Sequence, residues 1–385
     1  MIGGYSLDSS QIRGGVQAAT SYLLNGLVKI DGLDLHVLTF RPSGWAGPEQ
    51  FVKDGVCVHL LPSYPRFERL HGFRRYQSMV NHKLTSIRPS LIHAQEASSD
   101  ALVAIRSGYP TVITAHGIRA EDVKYISSFS QRIRFYFDSL LTEQSVIRKV
   151  KYLIAISHYV SNYFKAALRP DIKLEYIPNA VDESFFHLIG SSQKPVILFV
   201  GRITPIKRVY DLINAFIKVA YHIPQSELRI AGEISSSNDY VNSIRRLIGQ
   251  SGLDERIHLL GELSQKDILE EYNNCSLFIL PSSQENSPMV LAQAMASAKP
   301  IVATRVGGVS EMVGGAEERG LLINVGDIDA LASSIIDLLQ NPERCLLTGR
   351  AGRAFAIENY HPQRVAQRTY EFYRYISSKK SFPDE

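Results

Sequence analysis

Cysteine is scarce in this 385-residue sequence, with three copies, Cys57, Cys275 and Cys345. They are odd in number and far apart. They form no disulfide framework and no metal-ligand spacing with one another, which points to a reducing compartment. Long apolar runs are missing too, and none approaches the ~18 residues of a membrane span. The opening "MIGGYSLDSSQIRGG" is polar and glycine-rich, so no secretory leader is expected. Charge of one sign is missing: 42 Lys and Arg stand against 38 Asp and Glu, a net +4. Such a balance gives no reason to expect nucleic acid as a partner. There is no low-complexity segment, no detectable internal repeat, and no G-x-G-x-x-G dinucleotide fingerprint.

What is present is alternation. The length suits two domains of roughly 180 residues each. In the second half, short β-branched runs read as strands: "PVILFV", "ELRIAG", "RIHLLG", "SLFILPSS", "PIVATRVGG" and "GLLINV". Between them lie stretches with apolar residues at helical spacing, such as "KRVYDLINAFIKVAYHI" and "SQKDILEEYNN", the latter with Ser264 placed to cap it. The first half repeats the rhythm with "LDLHVLTF", "VCVHLLP", "SLIHAQ", "PTVITAH" and "KYLIAIS", and with helices near 15–29, 71–87, 98–107, 129–149 and 158–167. This order means right-handed βαβ units and mostly parallel sheets, an α/β class. The expected domains are 1–190 and 191–360, with a terminal amphipathic helix over 361–385.

Ligands of doubly wound sheets bind beyond the C-terminal ends of the strands. After "PVILFV" comes "GRITPIK", with Arg202 and, at a helix start, Lys207. Two cations and free N–H groups suit a diphosphate, and the same residues also fit as ordinary surface cations of a βα loop. After "SLFILP" comes "SSQENSPMVLAQAM". Ser287 suits an N-cap and Pro288 the first helical position. Glu285 lies just outside that helix, and Gln293 about one and a half turns within it. A carboxylate there can accept from sugar hydroxyls, or can simply complement a positive helix end. Gly307 and Gly308, and the "RGGVQAAT" pair Gly14 and Gly15, allow close backbone approach or serve as turns. His116 ends a strand in "TAHG", as a structural or a catalytic group. Asp327 and Asp329 have D-x-D spacing, but they open a helix, so Asp327 is expected to be its cap. "QRIRFYFDSLLTEQSVIRKVK" is basic and aromatic. Phe129, Ile133, Phe137, Leu140 and Leu141 fall at helical spacing, which predicts a core-facing helix with a solvated basic face.

The order and spacing of these pieces resemble one family. "GGV", "TAHG", "LIAIS", "IPNAVD", "VGRITPIKR", "LPSSQENSPMVLAQAMASAKPIVAT", "VGGVSEMV" and "GLLINVGDIDALA" run almost end to end. Together they look like a retaining glycosyltransferase of the GT-B fold, family 4, also called glycosyl transferases group 1. The resemblance implies two Rossmann-like domains with a cleft between them, and a last helix that crosses back to the N-terminal domain. It implies that Arg202 and Lys207 hold the donor diphosphate in place of a metal, that Glu285 contacts the transferred sugar, and that His116 lies near it. Gly14 and Gly15 would face the phosphates, and Asn286, Ser287, Pro288, Met289, Val290 and Gln293 would complete the donor side. No cofactor or metal is implied beyond a nucleotide-diphosphate sugar as substrate. A carbohydrate or lipid-linked acceptor, a cytoplasmic location at the inner membrane face and weak peripheral membrane association are the further implications.

Two departures stand out. The family's E-x7-E motif has a glutamine, Gln293, for its second acid, which leaves a neutral acceptor where a charged one meets the ribose. Family members also begin with a full apolar strand before the glycine loop, whereas here only "MI" precedes it. A missing central strand is expected to leave its neighbours' backbone groups unpaired. The resulting expectation is a hexosyltransferase of surface polysaccharide or glycoconjugate synthesis. The alternatives are a GT-B nucleotide-sugar epimerase and a non-catalytic GT-B binding protein.

Overall fold

The computed structural model describes residues 1–7, 14–118, 121, 123, 129–188, 190, 194–234, 239–314 and 318–379. It divides into two compact units, Met1–Ala180 with Pro362–Glu385, and Val181–His361. The division falls before residue 190 for a physical reason. Val181 N donates to Tyr360 O (2.9 Å), and Val181, Phe185 and Phe186 are buried in the second unit's core.

The first unit contains β1 (His36–Phe40), β2 (Gln50–Lys53), β3 (Val56–Leu61), β4 (Ile92–Ala94), β5 (Thr111–Ala115), β6 (Tyr152–Ala155) and β7 (Lys173–Tyr176). The strands form two groups, β2-β3-β1 and β4-β5-β6-β7, parallel except for β2. The sequence pattern does not predict β2. It is a hairpin partner of β3, turned through Asp54 and Gly55 at φ 50° and 80°. Asp-Gly is the dipeptide such turns favour.

Ile2 joins the two groups, bridging Leu38 of β1 and Ala94 of β4 in parallel sense. Ile2 N donates to His93 O (2.9 Å), Leu38 N to Met1 O (2.9 Å) and Gln95 N to Ile2 O (3.3 Å). The strand expected before the glycine loop is thus represented by a few residues. The backbone groups these residues reach are paired, not left open.

The last helix, Pro362–Ser378, packs on the helix Gly15–Leu27. A Cβ at Gly26 would lie 2.4 Å from Pro362 O, so only glycine permits this approach. The expectation for 129–149 is corrected. The helix Phe129–Asp138 exposes Ile133 (43 %) and Phe137 (55 %), and Leu141 beyond it is 72 % exposed. Among the described side chains of this stretch, burial starts with Thr142 and Glu143 and includes Val146 and Ile147. Upstream of them Ile133, Phe137 and Leu141 face outward, and the side chains of Phe129 and Leu140 lie outside the described residues. Among the described residues, no helix is long and apolar enough to cross a membrane.

The second unit contains β8 (Val196–Val200), β9 (Glu227–Ala231), β10 (Ile257–Gly261), β11 (Leu277–Leu280), β12 (Ile301–Thr304) and β13 (Leu321–Ile323). All are parallel, in the order β10-β9-β8-β11-β12-β13. Counted within the unit this is 3-2-1-4-5-6, the order of dinucleotide-binding sheets, and it reverses between β8 and β11. The central strands are buried on both faces. The helix Val209–His222 buries Leu212, Ile213, Phe216, Val219 and Ala220, the stripe that its 3.6-residue period dictates. The pattern does not predict the helix Pro342–Tyr360, because small residues make up much of its inner face. A Cβ at Gly349 would lie 2.3 Å from Ala298 O. Ser264 and Asp327 cap their helices, with Asp327 Oδ1 accepting from Ala330 N (2.9 Å). Asp327 is therefore the helix cap that its position predicts.

Candidate functional site

The strand order of the second unit reverses between β8 and β11, and the loops after these two strands carry the unit's candidate residues. After β8 the chain makes a short turn, Pro205–Lys207, before the helix that begins at Val209. After β11 it runs through Pro281–Pro288 into the helix Met289–Ala296. Adjacent parallel strands bring both loops to one sheet edge. Ser283 N donates to Ile206 O (2.8 Å) and locks one loop to the other.

Lys207 Nζ donates to Glu285 Oε1 at 2.5 Å. Ser282 Oγ donates to the same oxygen at 2.7 Å. Glu285 is 9 % exposed and its own carbonyl accepts from Gly308 N (3.2 Å). Its carboxylate is therefore held by a cation and a hydroxyl, and its main chain by the Gly307-Gly308 turn. Arg202 differs. It is exposed, and its side chain makes no ion pair among the described residues. It is a cation free to meet an anion.

One expectation about the helix start is corrected. Pro288 occupies the cap position, the helix begins at Met289, and no side chain caps it. Ser287 stands one residue too early to accept from the first turn. The N–H groups of Met289 and Val290 belong to the uncapped first turn, and a helix start of this kind attracts anions. Asn286 precedes Ser287 in the loop beside Glu285. Gln293 is partly buried, and its Oε1 lies 3.4 Å from the Tyr272 hydroxyl, which donates to Val290 O at 2.9 Å. The side chain is thus turned toward a tyrosine inside the unit.

In the first unit the candidates again follow parallel strands. Gln95 lies just past β4 and His116 just past β5. Gln95 Oε1 accepts from His116 Nε2 (2.9 Å). With that proton on Nε2, Nδ1 is a lone pair, and it is enclosed with no hydrogen-bond partner among the described residues. Burial pushes the His116 pKa down to about 4, with Asn179 acting weakly the other way. The ring is neutral at ordinary pH.

His93 braces Gln95 from below. Its Nε2 meets Thr114 Oγ1 (2.7 Å) and its Nδ1 the Tyr373 hydroxyl (2.5 Å) of the last helix. A small cavity under His116 is lined by Gln95, Thr114, Asn179 and Thr369, among others. Gly14 opens the helix Gly15–Leu27 at φ 83°, with no side-chain cap and open space where a Cβ would point.

Sequence reasoning missed Ser282, Gln95 and Asn179. Gln95 was findable by the same rule as His116, as a polar residue that ends a buried strand. Ser282 was not, since its role depends on how the loop folds back onto Glu285.

The family model described as Glycosyl transferases group 1 matches residues 181–355, and the one described as Glycosyltransferase Family 4 matches 13–185. An uncharacterized glycosyltransferase of Methanocaldococcus jannaschii is 25% identical over 341 residues, 88% of this chain and 89% of that protein. A GDP-mannose-dependent alpha-(1-6)-phosphatidylinositol monomannoside mannosyltransferase of Mycolicibacterium smegmatis is 26% identical over 53% of this chain and 57% of its own length. Among solved structures, sucrose-phosphate synthase from Thermosynechococcus elongatus superposes with a TM-score of 0.77 at 20% identity, covering 95% of this chain and 94% of that one. Anabaena HepE in complex with UDP-glucose superposes with a TM-score of 0.72 at 19% identity, covering 94% and 97%. At these identities the solved structures speak for the fold alone.

Proposed function

The chain belongs to the family 4 glycosyltransferases of the GT-B fold, and from that premise we propose that it moves a hexose from a nucleotide-diphosphate sugar to a carbohydrate or lipid-linked acceptor, with retention and without a metal. The observation that carries this reading is the Lys207–Glu285–Ser282 cluster at the strand-order reversal, beside an uncapped helix start.

In the reaction the acceptor's O–H adds to the sugar's anomeric carbon as the bond from that carbon to the diphosphate oxygen breaks. The proton leaves with the nucleoside diphosphate. Arg202, Lys207 and the N–H groups of Met289 and Val290 stabilise the charge that develops on the departing diphosphate. Glu285 accepts from hydroxyls of the transferred sugar. Its Oε1 already accepts from Lys207 and Ser282, which holds the carboxylate in place and makes it a poor nucleophile. That favours attack on the face the diphosphate leaves. His116, neutral and with an unpaired lone pair on Nδ1, accepts from a substrate hydroxyl. Gln293 meets the ribose by turning from Tyr272.

The exposed apolar residues Ile133, Phe137 and Leu141, with the exposed Arg132 beside them, suit peripheral contact with an anionic membrane. Co-sedimentation no stronger with anionic than with neutral vesicles would remove that part of the reading.

The decisive experiment is a nucleotide-sugar panel with and without acceptors, followed by release of nucleoside diphosphate and by the anomeric configuration of the product. Acceptor-dependent release in EDTA is the expected result. A change in the sugar without transfer would mark an epimerase, and binding without turnover a binding protein. Turnover abolished by EDTA and restored by manganese would defeat the metal-free mechanism.

A further inference from the structure

A second constellation lies at the other ends of the strands, away from the residues discussed above. Asp34 and His36 stand at the start of β1, and Cys57 and His59 at the start of β3. The register sets His36 directly across from Cys57. The two-residue period of a strand puts His59 on the same face as Cys57, and Asp34 on the same side as His36. His36 Nδ1 and His59 Nε2 are 2.9 Å apart. Cys57 Sγ is 3.4 Å from His59 Nε2. One ligand atom from each of the three residues lies within 4.8 Å of the others. A tetrahedral zinc ion with ordinary bond lengths holds its nitrogen and sulfur ligands about 3.3–3.6 Å from one another. The two histidines need to open by only a few tenths of an ångström to admit one, and Cys57 already stands at about the required distance from His59.

The placement of protons points the same way. His36 Nε2 lies 3.0 Å from Asp34 Oδ2. A carboxylate only accepts, so Nε2 carries the proton and Nδ1 presents a bare lone pair to the cluster. A carboxylate behind the distal nitrogen is what orients a metal-binding histidine. His59 is 3 % exposed, and its other nitrogen has no partner among the described residues. Gln50 Nε2 is 3.6 Å from Cys57 Sγ on the exposed side, where a fourth position opens to water.

We propose that His36 Nδ1, Cys57 Sγ and His59 Nε2 bind one zinc-type divalent ion, with Asp34 as the residue that positions His36. On binding, the thiol of Cys57 gives up its proton to solvent and a metal–sulfur bond forms. His59, whose Nε2–H donates to His36 Nδ1 in the metal-free protein, gives that proton up to solvent and takes one on Nδ1 as Nε2 binds the metal. The ion ties β1 to β3 near the edge of a sheet that Ile2 joins by a single-residue bridge, so its role is structural. Turnover well below the melting temperature does not depend on it.

The test uses the full-length chain, stripped of metal and titrated with cobalt(II). A thiolate-to-cobalt charge-transfer band and tetrahedral d–d bands should grow to one equivalent and disappear when zinc is added. Cys57→Ser should lose the charge-transfer band, and His59→Gln the tetrahedral spectrum. Asp34→Asn, at an exposed position, should weaken zinc binding by about 10–100-fold without touching a ligand. Zinc should raise the melting temperature of the wild type and not that of Cys57→Ser. A wild-type protein without the charge-transfer band overturns the proposal. So does a Cys57→Ser protein that keeps a wild-type circular dichroism spectrum and takes up cobalt with unchanged spectrum and affinity.

Discussion

The loops after β8 and β11 in the second unit and those after β4 and β5 in the first have the same backbone design and opposite electrostatics. In the second unit the side chains are charged. Lys207 and Glu285 neutralise each other at 2.5 Å, and Arg202 stays exposed. In the first they are neutral. Gln95, His116, His93 and Thr114 form a chain of hydrogen bonds, and burial strips the histidines of charge. The difference follows from partners. Glu285 has a cation beside it, whereas the enclosed imidazoles bond only to neutral groups, so their charged form is the costly one. The proposed division of labour follows from the same difference. The charged edge suits a diphosphate and the neutral edge suits hydroxyls.

The sharpest way to break this comparison is Glu285→Gln. It keeps the shape and removes the charge, so Lys207 loses its buried partner and the sugar its acceptor. Turnover should fall on the order of 100-fold or more, the scale of losing one group that acts in the transition state. Steady-state kinetics with the correct donor checks this. Near wild-type turnover would reduce Glu285 to a partner for Lys207.

Arg202→Ala and Lys207→Ala come next. Each should lose roughly 1.5–3 kcal/mol of transition-state stabilisation, about 10–150-fold in turnover. Thermal melting should separate them. Arg202 is exposed and its loss should leave the melting temperature unchanged, while Lys207→Ala strands Glu285 and should lower it. Equal melting temperatures would contradict the paired geometry.

His116→Ala should cost up to about 10-fold in turnover, the loss of one neutral hydrogen bond. Because the folded ring titrates near 4 and the unfolded one near 6.5, the unfolded chain binds more protons between those values. The stability that His116 contributes is complete above pH 6.5 and is lost as pH falls toward 4. The buried His93, also shifted down, adds in the same sense. Urea melts across pH 4–7 on wild type and His116→Asn should show a shallower decline in the variant. A turnover limb near pH 6.5 that vanishes in the variant would mean that the ring is charged in the folded enzyme.

The smallest effect is expected from Gln293→Glu. Turnover should be similar and the donor KM lower by about fivefold, since a charged acceptor replaces a neutral one at a cost of about 1 kcal/mol less. The Tyr272 hydroxyl at 3.4 Å sharpens the test. If the new carboxylate stays on that tyrosine, the KM will rise instead, and the pocket is organised around glutamine.

Much of the architecture was legible by periodicity alone. Buried parallel strands are continuous apolar runs, so β5, β8, β11 and β12 stand out, and polar residues that end such runs, Arg202, Glu285 and His116, are already site candidates. Helices with a clear stripe, such as Val209–His222, were legible for the same reason. Caps at Ser264 and Asp327 were legible because capping is a contact between near neighbours in the chain. Where a contact spans distant residues, the one-dimensional pattern was silent or misleading. The helix Pro342–Tyr360 closes on its neighbour through glycines and shows no stripe. The apolar positions near Ile133 have helical spacing whichever way the helix faces, and only the packed chain shows them exposed. Ile2 completes a sheet by pairing with residues 38 and 94, which no local rule indicates.

Composition and order by themselves determined that this chain is a two-domain α/β protein with cations and an acid after particular strands. Only the tertiary structure decided that Lys207 and Glu285 are joined through Ser282's loop, that His116 is neutral, and that His36, Cys57 and His59 share one face. The physical reason is that periodicity records which way a side chain points within its own element, whereas strand register and loop closure decide what it meets there.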